Sequence, residues 1–336
     1  MKKLFLLFTL LSSVPAFAGY TEALLYFDNQ QYPQAFAEFK PLADRGSDRA
    51  QYYIGYMYIN GYGVDRDEAL GLKYIQKSVD EGFEKAEALM GYFLSEGIYV
   101  PQNKTKGFKL YQKAAEKGDD DALLNLGVAY YLGDVVDQDI EKSIEYLSKV
   151  NKVTKPIAAR YLGDVYLSHG NKDTAKKALD SYRIAAANGD LPSFHFYAAA
   201  QQEGRVGDPN MDEAVKYYTY AASQSYAPSQ YMLGTLYTNG TGVPRDILKG
   251  YAWISFAVNQ NFEPAVTAQK KLEENMTLSE LDKARREMLK IQTEVIDQVE
   301  SPLKDAALQN GAVVIAGASN TTTTQGGRRP RARRRR

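Results

Sequence analysis

Ala50-Gln51-Tyr52-Tyr53-Ile54-Gly55-Tyr56-Met57-Tyr58-Ile59-Asn60-Gly61 is the stretch from which the rest of the chain can be parsed. Ala50, Ile54, Gly55 and Tyr58 share one face at helical spacing, and the small side chains among them let a neighbouring helix come close. Gly61 supplies the left-handed residue that ends such a helix. The pattern then returns. Small residues recur at Gly55, Gly91, Gly127, Gly163, Ala198 and Gly234, at intervals of 36, 36, 36, 35 and 36. Five positions before each stands another small residue: Ala50, Ala86, Ala122, Ala158, Ser193 and Ser229. Six positions after come Gly61, Gly97, Gly133, His169 beside Gly170, Gly204 and Gly240. A fixed period of this length is the mark of a repeat architecture, which voids the usual estimate of domain count from length.

Each period reads as helix, loop, helix. Asp67, Asn103, Asp139, Asn210 and Asp246 stand twelve after the small residue, where a side-chain oxygen caps the free N–H groups of a second helix. In that helix Gly71, Gly107, Ser143, Ala178, Ala214 and Gly250 form another small column. Bulk follows three residues later at Tyr74, Leu110, Tyr146, Ser181, Tyr217 and Trp253, with Tyr182 beside Ser181. Gly46, Gly82, Gly118 and Gly189 end second helices, and Pro192, Pro228 and Pro264 open the following first helices. The irregular copies differ in their loops: the fourth is one residue short between Ser168 and Thr174, and the third ends in Val153-Thr154-Lys155-Pro156.

Around the repeats, Thr21–Tyr26 and Gln34–Leu42 predict a divergent helix pair that caps the N-terminal side. Thr277-Leu278-Ser279-Glu280 is a capping box that opens a charged helix expected to run to about Gln309 and to cover the last repeat. The expected architecture is all-α, a right-handed α-solenoid of about six helix-turn-helix repeats. Its expected segments are a signal peptide at 1–18, a capping pair at 19–48, repeats at 49–264, capping helices at 265–310 and a low-complexity tail at 311–336.

The loop residues Tyr56-Met57-Tyr58-Ile59-Asn60-Gly61-Tyr62-Gly63-Val64-Asp65-Arg66-Asp67 resemble the signature of Sel-one-like repeats, a branch of the tetratricopeptide superfamily. Leu236-Tyr237-Thr238-Asn239-Gly240-Thr241-Gly242-Val243-Pro244-Arg245-Asp246 repeats that resemblance. Tyr251-Ala252-Trp253-Ile254 followed by Met276-Thr277-Leu278-Ser279-Glu280-Leu281 is similar to the terminal module of many bacterial members. The resemblance spans roughly residues 20 to 300. It implies a scaffold or adaptor of envelope assembly, secretion, motility or host contact, and so implies binding without naming a ligand. One branch of the family, rich in Cys pairs, is linked to penicillin binding and β-lactam hydrolysis. This chain has no Cys and departs from that branch.

Within a solenoid the first helices line the concave side. If positions −5, −1 and +3 from the small residue face the partner helix, 100° per residue puts −3, +1 and +4 on the opposite face. That face carries Tyr52, Tyr56 and Ile59, then Tyr92, then Leu124, Val128 and Tyr131, then Arg160 and Asp164, then His195 and Tyr231. Tetratricopeptide grooves use the equivalent face, which is what the resemblance implies. The aromatic and aliphatic strip suits a groove for a protein or an extended peptide, because Tyr is cheap to order and both apolar and polar. The alternative use of the same residues is packing between neighbouring first helices.

Composition removes most catalytic classes. The chain has no Cys and two His against 26 Tyr, which leaves no thiol nucleophile, no cysteine zinc site and little for a His-based triad. His195 has no partner at metal-ligand spacing. The carboxylate pairs Asp119 with Asp120 and Glu273 with Glu274 read as solvated charges at helix ends. Gly61-Tyr62-Gly63 precedes no Lys-Ser or Lys-Thr and reads as turn chemistry. No enzyme, cofactor or metal is expected, although an envelope hydrolase or a peptidoglycan- or glycan-binding protein stands as the rival from another class.

The two ends speak of compartment. Lys2 and Lys3, the apolar run Leu4–Leu11 and Ala16-Phe17-Ala18 read as a signal peptide cleaved near Ala18, which predicts a bacterial periplasmic or secreted protein. A secreted host-contact factor is the alternative within that class. The last nine residues hold Arg328, Arg329, Arg331, Arg333, Arg334, Arg335 and Arg336, a polyanion-binding block. Export makes an anionic envelope surface or an acidic partner its expected target, not nucleic acid. Removing Lys2, Lys3 and these seven Arg from the 41 basic residues leaves 32 against 41 acidic, a net of −9 for residues 19–327.

Overall fold

The computed structural model describes residues 16–168, 171–205 and 207–303. Among them every regular element is helical, and the helices come in antiparallel pairs at the sequence period. The N-terminal pair is α1 (Ala16–Asp28) and α2 (Tyr32–Asp44). Four pairs follow: α3 (Asp48–Asn60) with α4 (Glu68–Asp80), α5 (Glu84–Glu96) with α6 (Lys104–Glu116), α7 (Asp120–Leu132) with α8 (Ile140–Lys149), and α9 (Pro156–Ser168) with α10 (Lys172–Ala187). Next come α11 (Leu191–Gln202), α12 (Met211–Ser223), α13 (Ala227–Asn239), α14 (Ile247–Val258), α15 (Glu263–Glu273) and α16 (Leu278–Lys290). The chain divides into two compact units, residues 1–214 and 215–336, with the division inside α12.

The glycine columns set the spacing within a pair. A Cβ on Gly55 would stand 2.8 Å from the Gly71 carbonyl oxygen and from the Ile75 side chain, and one on Gly71 would stand 2.6 Å from Ile59 Cγ1 and 2.7 Å from the Gly55 carbonyl oxygen. α3 and α4 therefore touch backbone to backbone. In the third pair Ser143 replaces the second glycine, is fully buried, and donates its hydroxyl to the Gly127 carbonyl oxygen at 2.7 Å. The bulky residue three places on then stacks against the first helix: Tyr74 on Tyr58 and Tyr146 on Tyr130, with centroids 6.0 and 5.7 Å apart.

Helix ends follow the sequence closely. Gly61 caps α3 in the left-handed conformation, φ 72°. Asp67, Asn103, Asp139, Asn210 and Asp246 each accept the backbone N–H three residues on. In the shortened fourth loop the cap falls on Asn171, which forms a capping box with Thr174.

In the unit from Val215 onward, α14 packs against α13, α15 and α16. The Thr277–Glu280 capping box opens α16, as the sequence predicts. The helix does not run regularly to Gln309. It passes into a π turn at Ile291–Val295 and a 3-10 turn at Ile296–Gln298. The wider turn keeps Ile291 and Ile296, five residues apart, on one side, where both pack with Trp253.

Candidate functional site: a cleft across three first helices

In the unit ending at Ala214, successive first helices α3, α5 and α7 leave a cleft of about 450 Å³. Tyr52 and Tyr92 form its aromatic sides, Ala88 and Leu89 its apolar floor, and Lys85, Asp119, Asp121 and Asn125 its polar rim. Tyr52 is a fixed wall: Phe83 meets its ring edge-on at 5.5 Å and Tyr53 at 5.1 Å, and burial raises the phenol pKa. Tyr92 is 45% exposed and offers its ring to solvent.

The acidic rim is built by the start of α7. Asp119 accepts the Ala122 N–H at 2.8 Å as the helix cap. Burial raises its carboxyl pKa against the opposing pull of that bond. Asp121 is ion-paired with Lys155. Aromatic faces beside hydrogen-bond acceptors suit a peptide carrying an apolar or cationic side chain next to exposed N–H groups. Among the described residues no group of three or more His, Cys, Asp or Glu could hold a metal ion.

The expected groove residues separate into several environments. Tyr52 and Tyr92 line the cleft. Tyr56 is half-buried in the adjoining aromatic cluster, 6.3 Å from Tyr52, 6.0 Å from Tyr62 and 6.2 Å from Phe27. Ile59 is core instead, 3% exposed, because Gly71 lets α4 close over it. The same closure meets Ser95 at Gly107 and Thr238 at Gly250, so the second helix of each of these pairs covers the +4 column. Leu124 and Tyr131 pack against the core cluster around Leu147, and Val128 is half-buried.

Further along, charges expected in the groove are spent on packing. Arg160 donates to Asp190 at 3.0 Å with the two side chains only 16% and 10% exposed, and Asp190 also caps α11. Asp164 accepts the Tyr182 hydroxyl at 2.6 Å, and burial raises its carboxyl pKa. His195 is half-buried with its ring edge-on to Phe196, and burial lowers its pKa to about 4. Tyr231 belongs to the other unit, where it packs on Phe262.

The sequence reading missed Lys85, Leu89, Asp121 and Asn125, and set Asp119 aside as a solvated charge. Lys85 and Asp121 stand six before the small residue, and Leu89 and Asn125 two before. The open face is thus turned away from the +4 column and toward −2 and −6. The tail arginines 328–336, His169 and residues 1–15 of the expected signal lie outside the described residues. Among the described residues no helix is long and apolar enough to cross a membrane.

The model of the Sel1 repeat family matches residues 48–83, 84–119, 120–149, 195–226 and 227–262, just over half of the chain. The chain belongs to the Sel1-repeat family. The fourth helix pair, α9 and α10, has no match of its own in that family model, although it folds as a pair in sequence with the others. Among solved structures, this Sel1-repeat chain is similar to c5321, a protective antigen present in uropathogenic Escherichia coli strains and displaying an SLR fold. The identity is 22% and the TM-score 0.73, over 91% of this chain and 66% of that one. It is also similar to a Sel1 repeat protein from Oxalobacter formigenes, at 25% identity and TM-score 0.61, over 72% of this chain and 99% of that one. No match is found among curated proteins. The Sel1-repeat chain is therefore an all-α repeat scaffold, a solenoid of helix pairs.

Proposed function

We propose that this Sel1-repeat scaffold is a non-catalytic, exported adaptor that grips an extended peptide or partner protein of the bacterial cell envelope. The cleft between α3, α5 and α7 is its anchor point. The observation that carries the reading is the pairing of a rigid Tyr52 wall with a solvent-exposed Tyr92 over an apolar floor. Large, rigid amphipathic side chains in a desolvated pocket are the residues that dominate binding energy. The signal-like residues 1–18 support export, and the arginines 328–336 add attachment to an anionic envelope surface.

Photocrosslinking in intact cells tests this, with benzoyl-phenylalanine in place of Tyr92 and capture compared with the same replacement at exposed Leu132 on α7. A discrete partner is expected from position 92 and not from 132. Tyr92→Ser is expected to weaken that partner at least tenfold (about 1.4 kcal/mol) with an unchanged Tm. Tyr52→Ser also removes packing and lowers Tm. Equal capture at both positions, or full affinity in Tyr92→Ser, overturns the reading. A second reading, a secreted host-contact factor, draws on the protective antigen of similar fold. Comparing culture supernatant with periplasm separates the two.

A further inference from the structure

Four residues before the small residue of the first helix, three pairs carry a buried polar side chain: Gln51, Glu87 and Gln230. In two of them the residue thirty places on satisfies it. Lys117 Nζ donates to Glu87 at 2.7 Å, and Gln260 Nε2 donates to Gln230 Oε1 at 2.7 Å. Gln51 is 6% exposed and donates its Nε2 to the Ala43 carbonyl oxygen at 3.4 Å, just as Gln230 donates to Ala222 at 3.1 Å. The residue thirty places after Gln51 is Glu81, which as a carboxylate has no proton to give. Gln51 Oε1 is accordingly buried and accepts no hydrogen bond. A buried acceptor of this kind is costly unless something supplies it with an N–H or O–H.

Gln51 lines a cleft of about 390 Å³ together with Asp44, Tyr74, Lys77, Asp80 and Glu81, with its Oε1 shut off from solvent, so a donor in the cleft reaches that oxygen as the amide turns toward it. Three carboxylates line it against the Lys77 ammonium, and Lys40 neutralises Asp44 from beside the cleft, so one carboxylate is in excess. Asp44 already accepts Lys40 at 2.6 Å and the Tyr74 hydroxyl at 3.3 Å, Asp80 accepts Gln76 at 2.7 Å, and Lys77 lies 5.5 Å over the Tyr74 ring. The cleft is open beside Gly46, where an added Cβ would meet nothing within 4 Å. A ligand that answers both an orphan amide oxygen and an excess carboxylate is a cation that donates several N–H bonds.

We propose that the cleft between Gln51 and Glu81 binds a guanidinium or ammonium group on an alkyl stem, which takes the place that Lys117 fills from within the chain in the next pair. The group comes either from the chain's own arginines 328–336 or from a basic side chain of another molecule. The probe is Nα-acetyl-arginine methylamide, titrated calorimetrically at matched ionic strength into the full chain and into a chain ending at residue 327. Saturable binding is expected, weakened at least tenfold by Glu81→Gln and by Gln51→Leu.

Both variants are built to fold. Glu81→Gln copies the Gln230–Gln260 pair, and Leu stands at the Gln51 position in the third repeat, as Leu123. Glu81→Gln should also raise Tm by about 2–4 °C, because position 81 then donates to Gln51. Tighter probe binding in the shortened chain identifies the tail arginines as the occupant, and unchanged binding excludes them and leaves the basic side chain of another molecule as the source. No saturable binding to either chain, or binding indifferent to both substitutions, overturns the proposal.

Discussion

At His195 the fold holds an imidazole that water would protonate at mildly acidic pH. Burial lowers its pKa from 6.5 to about 4, so the ring is neutral in the folded chain. Between those values the unfolded chain binds the extra proton, so the contribution of His195 to stability falls as pH falls from about 6.5 toward 4. The expected loss is about 2 kcal/mol at pH 5 relative to pH 7, removed in His195→Gln and read from urea midpoints at the two pH values. Ser225 makes a second prediction. It occupies the place of Gly46, Gly82, Gly118 and Gly189, with φ 64° against their 80–94°, and its Cβ is strained there. Ser225→Gly should stabilise the fold by about 1 kcal/mol in the same assay. Both effects come from single residues, yet only Ser225 shows its anomaly in the repeat alignment. The His195 shift depends on neighbours that spacing does not reveal.

Helices and their pairs were the most legible level. Caps at Asp67, Asn103, Asp139, Asn210 and Asp246 need only a side-chain oxygen three residues before an amide, a local geometry that composition carries directly. The glycine columns likewise announce close contact. Gly71→Ala puts a methyl group within 2.7 Å of the Gly55 carbonyl oxygen. The helix propensity gained, about 1 kcal/mol, is outweighed by separating two helix backbones. A net loss of about 1–2 kcal/mol is expected by chemical denaturation, and the same change at Gly82, where only the tip of Lys117 is near, should cost through its φ of 80° alone. Legibility failed at the flanks of the first helices. Ile59 was placed on the open face by wheel angle, but the contact that Gly71 permits brings α4 over it. A wheel treats the partner as a plane, whereas a helix packed at glycine distance wraps around more of the circumference.

Across the chain, formal neutrality hides a split between residues 19–327, at −9, and the seven arginines after residue 327. A chain ending at 327 should therefore lose binding to anionic vesicles, and the binding of the full chain should weaken steeply between low and physiological salt. Flotation with and without phosphatidylglycerol checks this, and equal flotation of both chains would make the block a solvated appendage. The repeat period, the helix pairs, the family and this charge split all follow from residue identity and spacing, because each depends on contacts within one or two repeats. The cleft residues Lys85, Leu89 and Asp121, the burial of Ile59, the pairing of Arg160 with Asp190 and the orphan oxygen of Gln51 do not. Each is settled by which neighbouring helix stands opposite and how closely it approaches, a relation between segments some thirty residues apart that no local pattern encodes.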